Sequence, residues 1–211
     1  MYRRSWYCRI YTPTKVHIAP YGYDYFLDLN GDGTTDFVFS VYWCCDDSVY
    51  RGGLSVGAEA KGNEIIVNRR GDAAALPSGH RIGPNAPKFG SEASMVWGYF
   101  NTSNFRYKCY GPWNGKTAYL GLKFMISGEV HYGWAALSAG CDRGEPTAEL
   151  TGYAYETIPN RWIKAGDETG TLDESLNGSD EPTPRSVPVP TAATLGMLAW
   201  GAQALDIWRR E

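Results

Sequence analysis

The stretch TAYLGLKFMISGEVHYGWAAL, residues 117–137, decides the fold. Its two apolar segments, Thr117–Ile126 and Val130–Leu137, are rich in aromatic and aliphatic residues, and Ser127-Gly128 lies between them. Two such segments on either side of a short polar pair that contains glycine indicate a tight antiparallel hairpin. The sequence therefore predicts two long paired β-strands in this part of the chain.

Further segments with strand character lie on both sides of this hairpin: Tyr23–Leu29, Phe37–Trp43, Leu54–Ala60, Glu64–Asn68, Val96–Phe100 and Ala148–Thr157. Lys61-Gly62-Asn63 is a turn signal between two of them. Residues 69–94 and 101–116 are rich in glycine, proline and polar residues, and they predict long loops. About eight strands without a convincing helix predict an antiparallel β-sandwich of jelly-roll type.

Composition supports this all-β prediction and excludes one class of partner. The 211 residues include 15 Tyr, 8 Trp and 7 Phe, and aromatic residues favour strands. The net charge of −3 leaves no basic excess to neutralise phosphates, so we expect no nucleic-acid partner. We expect the sandwich domain in residues 1–165. Residues 166–190 are acidic and rich in proline, which predicts a disordered stalk, and residues 191–211 form a separate apolar end.

The segment DLNGDGTTD, residues 28–36, predicts a cation site. Oxygen ligands at alternate positions, with glycines that let the backbone turn sharply, suit a hard cation of the size of Ca²⁺. The candidate ligands are the side chains of Asp28, Asn30, Asp32 and Asp36 and the backbone carbonyl of Thr34. The pattern is similar to the short calcium loops of dockerin and integrin-type repeats, and it implies a structural calcium ion. The alternative is a metal-free hairpin turn.

Five cysteines and two sequons indicate possible covalent modification. None of the cysteines has the CxxC spacing of a zinc or redox site. In an oxidising compartment one or two disulfides are expected, for example from Cys44 or Cys45 to Cys109 or Cys141, with Cys8 as a candidate spare thiol. Asn101 and Asn177 each begin an N-x-[ST] sequon, although unmodified loop residues are the simpler expectation.

The last thirty residues contain an ordered series of signals. Val187-Pro188-Val189-Pro190 precedes an apolar run from Ala192 to Trp208, and Arg209-Arg210 follows it. This order resembles the PEP-CTERM sorting tail of bacterial exported proteins, although Val189 stands where that family usually has glutamate. The resemblance implies a surface or extracellular protein that is processed by an exosortase-type enzyme.

The apolar run can also be interpreted from its length alone. Its roughly seventeen residues fall short of the ~20 that a membrane-spanning helix needs, so we expect a transient anchor. The alternative is an amphipathic C-terminal helix, because Leu195, Leu198, Ala202, Leu205 and Trp208 fall at helical spacing.

Motifs within the domain are similar to those of uncharacterised exported proteins that carry the same kind of tail. The residues concerned are 26–37, 119–124 (YLGLKF), 132–134 (YGW) and 153–156 (YAYE). The leading hypothesis is therefore a non-enzymatic structural protein of the cell surface or matrix. It could form fibres with copies of itself if a free segment such as Val16–Ile18 completes a neighbour's sheet. The alternative is a carbohydrate-binding module in which Trp97, Tyr99, Trp113 or Trp134 stacks on surface polysaccharide.

No catalytic residue is predicted. Residues 53–57 fit GxSxG, but that motif needs a strand-to-helix turn and a strand follows it here. The three histidines lack metal-type spacing. Glycoside hydrolysis would require two facing carboxyl groups, for which Glu129, Glu149 and Glu156 are candidates.

Overall fold

The computed structural model describes residues 9–19, 24–46 and 48–168. In these ranges the chain forms strands and no helix. The strands are β1 Arg9–Ile18, β2 Tyr25–Leu27, β3 Phe37–Asp46, β4 Val49–Ala58, β5 Glu64–Ile66, β6 Arg81–Ile82, β7 Phe89–Gly90, β8 Glu92–Asn101, β9 Arg106–Tyr110, β10 Lys116–Ile126, β11 Glu129–Asp142, β12 Glu145–Glu156 and β13 Ile163–Lys164.

The strands form three antiparallel sheets. The central sheet has the order β1-β12-β11-β10-β5-β7, the outer sheet has the order β2-β3-β4-β8-β9, and the small sheet pairs β13 with β6. The hairpin predicted from residues 117–137 is confirmed as β10 and β11, which pair from Lys116↔Ala139 to Ile126↔Glu129. Every strand expected from the sequence is present, and the prediction of an antiparallel all-β sandwich is confirmed.

The central sheet is buried on both faces. Successive side chains along its strands point to opposite faces, and each face packs into a different core. The first core lies between the central and outer sheets. It contains Phe37, Phe39, Leu54, Val56, Trp113, Leu120, Leu122, Phe124, Leu137 and Leu150, all fully buried. Each such side chain contributes roughly 1.5–3 kcal/mol by leaving water, which makes this core the main source of stability.

The second core covers the opposite face of the central sheet. Trp134 and Tyr132 from β11 pack there with Ile82 of β6 and Ile163 of β13. The ring of Tyr119 contacts Trp134 edge-on, with centroids 5.3 Å apart and an interplanar angle of 88°. The small sheet is therefore the cover of this second core.

Five strands were not expected from the sequence, namely β1, β6, β7, β9 and β13, and the first of them corrects the assembly hypothesis. Val16 and Ile18 belong to β1, which pairs with the chain's own β12 through Val16↔Leu150 and Ile18↔Ala148. The segment is not free to enter a neighbour's sheet, because Ile18 is buried in the first core. β6, β7 and β9 lie in stretches predicted as loops, and β9 forms an edge of the outer sheet.

The disulfide differs from the expected pairings. Cys109 on β9 bonds to Cys141 on β11, with Cα atoms 6.1 Å apart, so it joins the outer sheet to the central sheet. The expected bonds from Cys44 or Cys45 to these residues are wrong, since Cys109 and Cys141 use each other. Cys44 is a free, exposed thiol. Cys8 and the side chain of Cys45 lie outside what the structure describes.

The predicted C-terminal features lie almost entirely outside the described residues. Of the expected stalk at 166–190, the structure describes residues 166–168 alone. The helix expected in 191–211, the motif Val187–Pro190, Arg209-Arg210 and Asn177 stay predictions.

Candidate calcium loop

The predicted calcium loop connects β2 to β3 at one end of the outer sheet. Gly31 and Gly33 have φ values of 76° and 87°, in the left-handed region that glycine adopts without steric cost. These two residues let the chain turn twice within six residues. The backbone N–H groups of the turn consequently point toward the loop's own carboxylates.

The Asp28 carboxylate lies at the centre of the loop. Its Oδ1 atom accepts a hydrogen bond of 2.7 Å from the Gly31 N–H, and its Oδ2 atom accepts one of 2.7 Å from the Gly33 N–H. The Asp32 N–H donates a further bond of 3.2 Å to Oδ1. Asp28 therefore holds the turn in the curled conformation that a cation-binding loop requires.

Asp32 and Asn30 form a second set of contacts on the exposed side. The Thr34 N–H donates to Asp32 Oδ1 at 2.8 Å, and the Asn30 amide donates to Asp32 Oδ2 at 2.9 Å. The bond from Asn30, and then that from Thr34, lowers the pKa of the Asp32 carboxyl below its ordinary value. Asp32 is thus held in the charged form that a metal ligand needs.

Asp36 is different, because it is buried with only 4% of its surface exposed. Its Oδ2 atom accepts a bond of 2.8 Å from the Leu29 N–H, and its Oδ1 atom accepts one of 3.0 Å from the Asn63 amide. Burial raises the pKa of the Asp36 carboxyl above its ordinary value, against the lowering effect of these two bonds. The negative charges of Asp28 and Asp32 raise it further.

Asn63 joins the loop to the central sheet. Its amide nitrogen donates to the Asp36 carboxylate, and its Oδ1 atom accepts a bond of 2.9 Å from the Met125 N–H on β10. Asn63 itself is buried, with 3% exposed. Sequence analysis predicted only a turn at this residue, because its hydrogen-bond partners lie 27 and 62 positions away.

The structure brings the five predicted ligands onto one loop but does not gather their carboxylates at one point. Within residues 9–19, 24–46 and 48–168, no three His, Cys, Asp or Glu side chains are grouped as a metal site. Asp36 faces Leu29 and Asn63 while Asp28 faces the turn. A calcium ion would therefore have to draw these side chains away from some of their present bonds.

The predicted sugar-stacking residues are only partly available. Trp113 and Trp134 are buried, at 0% and 1% exposed, so their assignment as sugar-binding surfaces is wrong. The Trp113 indole N–H donates to the Ala73 carbonyl at 3.0 Å inside the core. Trp97 and Tyr99 are half-buried, and Trp97 pairs across β8 and β9 with the exposed Tyr110.

The enzyme alternatives gain no geometric support. Ser55 lies in the interior of β4, where no strand-to-helix turn exists. Glu156 is fully buried beside Arg9 and Arg161, at 3.5 and 3.8 Å, while Glu129 begins β11 in an exposed position. Glu149 lies on β12 with Glu156, seven residues away, which is about 23 Å along a strand at ~3.3 Å per residue. That separation exceeds the ~5–9.5 Å between the carboxyl groups of glycosidases.

Asn101, the sequon residue that the structure describes, ends β8 and holds a turn. Its Oδ1 atom accepts bonds from the Ser103 and Asn104 N–H groups at 2.9 and 3.3 Å, and its amide contacts the Tyr99 hydroxyl at 3.3 Å. The amide nitrogen that a glycan would modify is therefore already engaged.

No family model, curated protein sequence or solved structure matches the chain. The described residues contain no helix that is long and apolar enough to span a membrane.

Proposed function

We propose that this chain is a non-enzymatic structural domain of a bacterial cell surface or extracellular matrix, stabilised by calcium in the 28–36 loop. The observation that carries the proposal is the connection of this loop to the sandwich through Asp36 and Asn63. A cation at the loop would act on the same network that joins the outer sheet to the central sheet. Its effect would be on the stability of the fold, which is a structural role.

The charges of the loop support calcium as the stabilising ion. Asp28, Asp32 and Asp36 lie within nine residues, and the first two disfavour the charged form of the third. A divalent cation would remove this repulsion and compensate the buried charge of Asp36. Oxygen ligands of this kind suit Ca²⁺, and sites of extracellular modules bind it with dissociation constants of about 10⁻⁴–10⁻³ M.

Thermal unfolding with and without calcium tests this role. If the dissociation constant is about 10⁻⁴ M, then about 10 mM CaCl₂ should raise the free energy of unfolding by about 2.7 kcal/mol over a chelator-treated sample. The variant D28N/D32N should lose this gain, whereas D142N, which alters an exposed carboxylate at the end of β11, should keep it. An equal gain with MgCl₂, or an undiminished gain in D28N/D32N, would contradict calcium binding at this loop.

Export is supported by the Cys109–Cys141 bond together with the tail sequence. Structural disulfides persist in oxidising compartments and are rare in the cytosol. We propose that residues 187–211 are a sorting tail that an exosortase-type enzyme processes, with the membrane engaged only transiently. Mass spectrometry of protein released from the host surface should find chains that end before the apolar run. A variant with Arg209 and Arg210 changed to alanine should stay in the cell fraction, and surface display of that variant would contradict the sorting role.

Assembly into fibres by strand addition would require an open sheet edge. The longest edge strands described are β1 and β9. β1 is irregular between Pro13 and Val16, and β9 carries Arg106 and Lys108, features that oppose open-ended strand pairing. Electron microscopy and light scattering of host-purified protein, with and without a chelator, test assembly. Ordered fibres that dissociate in the chelator would support a calcium-dependent matrix protein, and a calcium-stabilised monomer would contradict fibre formation.

A further inference from the structure

An aromatic cleft lies at one end of the sandwich, away from the calcium loop. It forms where the β3–β4, β8–β9 and β11–β12 hairpins meet, and its volume is about 510 Å³. Its aromatic walls are Trp43, Tyr50, Phe100, Phe105 and Tyr107, and Arg143 and Glu145 of the β11–β12 hairpin close it. This volume is within the ~300–1,000 Å³ range of small-molecule sites.

The aromatic rings of the cleft range from half-buried to exposed. Trp43 and Tyr50 are stacked, with centroids 5.9 Å apart and an interplanar angle of 23°, and Tyr50 contacts Phe100 at 6.2 Å. Phe105 and Tyr107 continue the wall into solvent, with 78% and 57% of their surfaces exposed. Two large exposed rings that adjoin three half-buried ones make a contiguous apolar surface, and such surfaces mark interaction sites.

Two residues of the cleft adopt a backbone conformation that their side chains disfavour. Phe105 has a φ of 54° and Arg143 has a φ of 48°, both in the left-handed region that costs a bulky residue about 1–2 kcal/mol. Two asparagine side chains hold the turn around Phe105. Asn101 accepts a hydrogen bond from the Ser103 N–H, and Asn104 accepts one from the Arg106 N–H. Disfavoured conformations that the surroundings enforce concentrate at binding sites.

The walls of the cleft are fixed before any ligand arrives. The Cys109–Cys141 bond joins β9, which carries Tyr107 and begins directly after Phe105, to β11, which ends directly before Arg143. Gly98 of β8 and Gly144 of the β11–β12 turn lie in contact, since a Cβ atom on Gly98 would fall 1.6 Å from the Gly144 carbonyl oxygen. A preformed site binds without the cost of ordering its loops.

The polar groups of the cleft have unused hydrogen-bonding capacity. Among the described residues, the side chains of Arg143 and Glu145 make no ion pair or side-chain hydrogen bond. Arg143 offers five donors and Glu145 offers acceptors, and their opposite charges leave the pair neutral. A pyranose ring presents an apolar C–H face and a rim of hydroxyls, each of which donates and accepts. The cleft offers the matching combination of open aromatic faces and charged hydrogen-bonding groups.

We propose that this cleft binds a neutral saccharide, whose pyranose rings stack on Phe105 and Tyr107 and whose hydroxyls bind Arg143 and Glu145. The site is independent of the calcium loop and of the sorting tail. It also differs from the surface around Trp97, where sugar binding was expected from the sequence.

Calorimetric titration of the full chain tests the proposal, with cellohexaose, laminarihexaose and maltohexaose as probes at concentrations up to about 5 mM. At least one of them should bind with a dissociation constant of about 1 mM or tighter. The variant F105G should weaken that binding about tenfold or more while its melting temperature stays equal or rises, because glycine fits the left-handed backbone at this position. Y107A should weaken binding similarly. Y42A, which removes an exposed ring from the outer face of β3, should bind as the wild type does.

Three outcomes would overturn the proposal. The first is a wild-type chain that binds none of the three saccharides. The second is undiminished binding in F105G and Y107A with loss of binding in W97A, which would move the site to the outer face of β8. The third is binding of a synthetic peptide of residues 181–190 without binding of any saccharide, which would make the cleft a groove for proline-rich peptide.

Discussion

Removal of the Cys109–Cys141 bond should destabilise the domain by an amount that its loop length sets. The two residues are 32 positions apart. In the chain-entropy model a closed loop of this length restricts the unfolded chain by about 12.4 cal/mol/K, or about 3.7 kcal/mol at 25 °C. At about 2–4 °C per kcal/mol, the double variant C109S/C141S should melt roughly 7–15 °C below the wild type.

Far-UV circular dichroism of the oxidised proteins during heating measures this loss. C44S is the matched control, because Cys44 is an exposed thiol on β3 and its change should leave the melting temperature within about 1–2 °C. Dithiothreitol should lower the wild-type transition to that of the double variant and should leave the double variant unaffected. A loss under about 1 kcal/mol, or a reductant effect that persists in C109S/C141S, would refute the assignment of this bond as a link between the sheets.

Three other changes test the packing and the hydrogen-bond network of the 28–36 loop. N63A should lower the free energy of unfolding by about 3 kcal/mol in urea titrations, because it leaves the Met125 N–H and the Oδ1 atom of Asp36 each without a partner. A loss below about 1 kcal/mol would show that the network contributes little. G98A should lower the free energy of unfolding by about 3 kcal/mol or more, or prevent folding. The control is G57A, whose added Cβ would meet its nearest neighbour at 3.4 Å and should change the free energy of unfolding by less than about 1 kcal/mol. Equal losses in the two variants would contradict the close approach of the hairpins. Folding raises the pKa of Asp36 above 3.8, so the stability that its protonated form contributes is complete below about pH 3.8 and is lost as pH rises through the folded pKa. In chelator, the wild type should therefore lose stability relative to D36N over this pH range. A difference in melting temperature between the two proteins that stays constant with pH would contradict the buried carboxyl.

The strands that could be predicted from the sequence are those with side chains buried in a core. Phe37–Asp46 and Lys116–Ile126 alternate between apolar and small or polar residues, and both were expected with nearly correct bounds. β1 and β9 were missed because they are edge strands. β1 contains a proline and a register shift, and β9 has mostly exposed side chains, so neither shows the alternation that identifies a half-buried strand.

The parts of the candidate sites that are close in sequence could be predicted, and the parts that depend on contacts between distant segments could not. The 28–36 loop was predicted because its glycines and carboxylates are close in sequence. Its connection to Asn63 could not be predicted, because that contact depends on how the outer and central sheets pack. The pairing of Cys109 with Cys141 depends on the same packing, as does the aromatic cleft, whose walls come from three hairpins.

The two cores should respond differently to mechanical force. Tension applied to the chain beyond residue 168 reaches the ion pair of Asp167 with Arg9 and then β13, which is held to β6 by a pairing of only two residues, Ile163↔Ile82 and Lys164↔Arg81. Those bonds lie over the second core, whereas the sheets around the first core are covalently joined by Cys109–Cys141. A domain tethered by its C-terminal end would therefore extend by releasing the small sheet and exposing Trp134 while the sandwich stays folded. The small sheet would absorb the load, and the candidate calcium loop of the outer sheet and the aromatic cleft between the two larger sheets would keep their shapes under tension.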